Sequence, residues 1–159
     1  MDATHLHLLI NHVPVIASFI GALILLYGII TKSYHTKNAA YLILLLAAVG
    51  GGIAFLTGEE AEHVAEKLPG VTEEWIHDHE EAAEKAIIGI MVLGLASLVG
   101  LLMNRRPSGG RITSWIVLVI ALATFGITAY AAYLGGSIRH TEIRPSANAV
   151  ETVVKPDDD

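Results

Sequence analysis

The chain has 159 residues, of which 53% are hydrophobic and 16% charged, and its formal net charge is −6. Soluble domains carry about 25% charged residues; here the charges gather in short blocks between long apolar runs, which excludes a soluble core and points to a membrane protein. Cysteine is absent, so disulfides, thiolate metal sites, cysteine-ligated iron–sulfur clusters and covalent c-type haem are excluded.

The first seven residues lack a basic n-region and include Asp2, so no cleavable signal peptide is expected and the first apolar run is itself a span. Four spans are predicted, at about 8–31, 39–57, 82–103 and 112–135. Each reaches the roughly 20 apolar residues that cross a ~30 Å hydrocarbon layer. Between the second and third, Gly58–Lys67 is expected to continue its helix beyond the membrane surface. Leu68-Pro69-Gly70 then breaks the helix, and Thr72 caps the next one, with Glu73 and Glu74 in its first turn. A Gly135-Gly136 break is expected to end the fourth span. The domain organisation is therefore a four-helix unit over 1–143, with 58–81 as a helical hairpin extension. A polar tail, extended or disordered, follows over 144–159.

Lys32 and Lys37 lie in the first loop, and Arg105, Arg106 and Arg111 in the third, with no acid in either. All 16 acidic residues fall on the other side, with the remaining five basic ones. By the positive-inside rule both termini face away from the cytoplasm. The expectation is an all-α transmembrane four-helix bundle in a bacterial inner membrane, with periplasmic N- and C-termini.

Seven of the eight histidines, His5, His7, His12, His63, His77, His79 and His140, fall on the acidic side. They come from the ends of all four helices. Imidazole is the commonest metal ligand and the one a membrane bundle offers to haem iron, and ionisable residues at spans are functional candidates. His12, in Asn11-His12-Val13-Pro14, lies a turn inside the first apolar run and shares a helical stripe with His5. It is either a ligand or a buried group bonded to the backbone that Pro14 kinks. His79, on a stripe with Trp75, Ala82, Ala83 and Ala86, is predicted to point into the bundle. His77 and Asp78 belong to a solvated acidic face. His63, flanked by Glu59 and Glu66, is a ligand, a supporting group or a surface residue. His140 sits beyond the glycine pair, beside Arg139, whose guanidinium suits a haem propionate or one of the many acids. Of His5 and His7, one is expected to be merely exposed, and His5 is kept as the candidate.

The opening His-Leu-His-Leu-Leu-Ile-Asn-His-Val-Pro-Val, Thr57-Gly58-Glu59 and His79-Glu80 together resemble a broad family of bacterial four-helix membrane proteins of unknown function. The Gly-Gly-x-Ile-Arg-His-x-Glu ending of the fourth span resembles a subgroup of it. The resemblance covers most of residues 4–144 and implies His12, Gly58, His79 and His140 as marked positions.

Three functions follow from these residues. The first is a small b-type cytochrome or haem-bearing electron-transfer subunit. His12, His79, His63, His140 and His5 would be its cofactor ligands, Arg139 would help to hold the cofactor, and the number of ligands permits one haem b or two. Small-residue faces at Gly50–Gly52, at Ala82, Ala83 and Ala86, and at Gly89 would accept the macrocycle. The acidic face would steer a basic cytochrome c. The second is a copper, zinc or iron site at His12, His79, His63 and His140. The third is a cofactor-free assembly subunit of a larger, respiratory membrane complex. An accessory or electron-transfer role is expected over a stand-alone enzyme, since no catalytic constellation is present. The expected surroundings are lipid, with no nucleic acid, and no inverted repeat suggests a transporter.

Overall fold

The computed structural model describes residues 2–144, apart from the side chains of Pro107, Ser108, Gly109 and Thr141; the C-terminal tail expected beyond this point lies outside the described residues. Among the described residues six helices form: α1 (Ala3–Ile10), α2 (His12–Ile30), α3 (Tyr34–Leu56), α4 (Gly58–Ala65), α5 (Glu73–Met103) and α6 (Pro107–Arg139), followed by a 3-10 turn, Thr141–Ile143. No strand occurs among the described residues. α1 and α2 form one rod with an interruption at Asn11, where Pro14 has no N–H to offer the Ile10 carbonyl. α3 and α4 are likewise continuous through a bend at Thr57, whose hydroxyl turns back to the Ile53 carbonyl at 2.8 Å.

Among the described residues four helices are long and apolar enough to cross a membrane: Ala3–Ile30, Tyr34–Leu56, Glu73–Met103 and Gly110–Arg139. α2, α3, α5 and α6 pack in that cyclic order, each antiparallel to both neighbours. The large apolar side chains point outward, Leu56, Ile88, Leu95 and Val119 among them. In lipid this costs nothing, because hydrocarbon is as apolar as a core. Inside, the helices meet through small residues. A Cβ at Gly50 would stand 2.6 Å from Val13 Cγ1, and one at Gly100 would stand 2.5 Å from Tyr41 Cε1. These glycines are the seats of the facing side chains.

Two clusters fill the axis. Leu25, Tyr41, Leu44, Leu93 and Val117 occupy the half nearer the basic loops, and Ala82, Ala86, Ala131 and Leu134 the half nearer the acidic end. Most polar side chains of the first half bond one another, as water is absent there, although Ser97 Oγ and Asn104 Oδ1 have no partner. The Tyr41 hydroxyl bonds Ser114 Oγ at 2.8 Å, and Asn104 donates to the Tyr34 carbonyl and to Asn38 Oδ1. At the acidic end α1 lies against α4, with the Thr4 hydroxyl on the Glu60 carbonyl.

α6 does not break at Gly135-Gly136, as the sequence suggests; it runs on to Arg139 and is capped at His140. Gly135 is needed for close approach instead, because a Cβ there would stand 2.9 Å from the His79 ring. An unbroken helix also keeps its carbonyls satisfied at the membrane surface.

Candidate functional site

The acidic end is assembled from α1, α4, the start of α5 and the end of α6. Within it the histidines fall into two groups. His5, His12, His63 and His140 are exposed, each beside a polar partner on its own stretch of chain. The His5 ring meets Asp2 Oδ1 at 2.7 Å, and the carboxylate of Asp2 also caps α1 through the His5 N–H. These bonds, the backbone one foremost, hold the Asp2 carboxyl below its ordinary range. The ring of His12 is bonded to the amide oxygen of its neighbour Asn11. His63 stands 3.7 Å from Glu66, and His140 bonds Glu142 at 2.8 Å. Arg139 is exposed.

His7 and His79 differ: both are half-buried and reach across to another helix. His7 donates through Nδ1 to the Ala54 carbonyl at 2.8 Å, where the Thr57 hydroxyl also bonds at 3.2 Å. His79 donates through Nδ1 to the Ala131 carbonyl at 2.9 Å. A carbonyl only accepts, so each bond places the proton on Nδ1 and leaves the Nε2 lone pair available. Small residues make both seats: Gly58 faces the His7 ring and Gly135 the His79 ring. Of the histidines proposed from sequence, His79 alone bonds across to another helix; the other that does so is His7, which was not among them. Among the described residues no three His, Asp or Glu side chains converge as a ready metal cage.

Most of the small-residue faces expected to accept a macrocycle are filled by neighbours, Gly52 excepted. Val13 sits on Gly50, Ile90 on Gly51, and Thr124 on Gly89, where its hydroxyl bonds the Gly89 carbonyl. Ala82 and Ala86 pack with Ala131 and Leu134.

Around the pair the field is acidic. Glu62, Glu66, Glu73, His77 and Glu80 line a groove of about 310 Å³ between α4 and α5. Burial, followed by repulsion from Glu80, Glu66 and Glu59, raises the Glu62 carboxyl above its ordinary value; His63 opposes this. The end is closed by Arg144, which sequence reasoning assigned to the start of the tail. Its guanidinium donates to the carbonyls of Ser137, Ile138 and Gly70 at 2.9–3.1 Å and stacks 5.0 Å from the Trp75 ring. Four elements are thereby tied together beside His79. Only a fold that brings the chain back over α6 reveals this role, although the sequence does show an Arg shortly after a helix end.

No curated protein and no solved structure matches the chain. Residues 3–141 match the family described as a predicted membrane protein, DUF2231. That match covers most of the chain, from α1 to the end of α6, and the protein belongs to this membrane-protein family.

Proposed function

We propose that this protein holds a divalent transition-metal ion at His7 and His79, at the non-cytoplasmic end of a membrane-spanning bundle. The observation that carries this reading is the pair of Nδ1–H···O=C bonds to Ala54 and Ala131. Metal-ligating histidines are held in this way, by a second bond that sets the tautomer and aims Nε2. Imidazole suits zinc, copper and iron, and the surrounding carboxylates concentrate cations. The two side chains supply two ligands; water or a further molecule completes the shell. The orientation rests on the basic loops, which favour the cytoplasm.

The test is metal analysis of the full chain purified in detergent, with a zinc and cobalt titration and a dithionite-reduced minus oxidised spectrum. About one metal per chain is expected, lost in His7→Ala and in His79→Ala and retained in His35→Ala. Retention of the metal in both site variants overturns the assignment. A low-spin haem spectrum overturns the bare-ion reading in favour of a b-type cytochrome.

A further inference from the structure

The lipid-facing seam between α5 and α6 carries a groove of about 630 Å³ that the histidine site does not use. Asp78, Glu81 and Lys85 line it from α5, and Gly126, Ile127 and Tyr130 from α6. Its two ends lie at different depths. Lys85 is one turn inside the apolar run that starts at Ala82. Gly126 precedes the end of the fourth apolar run by nine residues, roughly 13 Å along the helix. The groove therefore runs from the headgroup level into the hydrocarbon.

Its chemistry changes along that path. At the deep end Gly126 leaves a notch: a Cβ there would meet nothing within 4 Å. Ile127 and Tyr130 beside it are exposed. A notch at this depth is in contact with acyl chains. At the shallow end two carboxylates stand with one ammonium; Lys85 Nζ is 2.7 Å from Glu81 Oε1, and both side chains are more than half exposed. The Tyr130 side chain lines the same groove as Lys85.

The geometry points to a binding site for a zwitterionic phospholipid with a primary amine, of the phosphatidylethanolamine class. Its phosphate takes Lys85 and the Tyr130 hydroxyl. Its ammonium donates to Asp78 and Glu81, and one acyl chain lies over Gly126. The other headgroups match less well. A phosphatidylglycerol headgroup brings only negative charge to a site holding two carboxylates and one ammonium. A choline headgroup has no N–H to donate to the carboxylates.

Native mass spectrometry of the full chain, with phosphatidylethanolamine, phosphatidylcholine and phosphatidylglycerol of identical acyl chains, tests this. The amine lipid should be retained about two- to fivefold over the other two, the scale of solvent-screened ion pairs. In Asp78→Asn/Glu81→Gln the preference over choline should vanish. In Gly126→Leu, whose Cβ meets nothing within 4 Å, retention of all three lipids should fall while the melting temperature holds. Equal retention of amine and choline lipids by the wild type overturns the proposal. So does a preference for the glycerol lipid, a preference that survives in the double variant, or unchanged retention in Gly126→Leu. None of these readings depends on metal at His7 and His79.

Discussion

Two arginines near the end of α6 carry the same charge and have opposite weights. Arg139 is exposed, whereas Arg144 is 9% exposed and donates to three carbonyls on two segments. Replacing Arg144 with Ala leaves those carbonyls without their donor and removes the stack on Trp75. Hydrogen bonds from charged groups carry the largest deletion costs, so a loss of about 2–3 kcal/mol is expected for Arg144→Ala. Arg139→Ala should stay within about 0.5 kcal/mol. Arg144→Lys keeps the charge but not the fork, and should fall between them. Denaturant titration of the three variants in micelles checks the order. The histidines teach a related lesson. His5 and His12 are seven residues apart and so share a stripe, which is why the sequence singled them out together. His7 and Pro14 are also seven apart, and theirs is the stripe that continues through Ala17, Ser18 and Gly21 into the bundle. In a membrane helix small residues mark the inward face, because packing there replaces hydrophobicity as the source of attraction. Read with that rule, the first helix would have placed His7 inside and His12 outside.

At the scale of elements, the same rule separates glycines that serve packing from those that do not. Gly100 lies under the ring of Tyr41, a fully buried side chain already held by Ser114. The ring cannot move aside, so Gly100→Ala should cost about 1–3 kcal/mol. Gly52 faces open space, and Gly52→Ala should be neutral or stabilising by up to about 1 kcal/mol, since Ala is the better helix former. Thermal unfolding of the two variants in one detergent tests the pair, and equal effects would contradict the helix contacts described. Composition shows that glycine and alanine are plentiful, but not which of them a neighbour fills. That is why Gly50, Gly51 and Gly89 could be read as a slot for a cofactor when they are seats for Val13, Ile90 and Thr124. The Gly135-Gly136 pair was misread for a similar reason: local flexibility suggested a turn, while the contact with His79 calls for a helix without a side chain.

At the scale of the molecule, the charge pattern predicts an orientation that labelling can test. The native chain has no cysteine, so single-cysteine variants give an unambiguous signal. In spheroplasts, His63→Cys should react with an impermeant maleimide, and His35→Cys only after permeabilisation. The reverse pattern would invert the assignment and put the histidine pair on the cytoplasmic side.

The sequence by itself determined the class, the number of apolar runs and the split between an acidic, histidine-rich end and a basic one. Those features depend on how many consecutive residues are apolar and where charges interrupt them, which is information local to each segment. Only the tertiary structure decided which imidazoles face another helix, which glycines are filled and where Arg144 is anchored. Each of these depends on the rotation of one helix against the next. That rotation is set by side chains such as Val13 on Gly50 and Tyr41 on Gly100, pairs too far apart in sequence for any periodicity to connect.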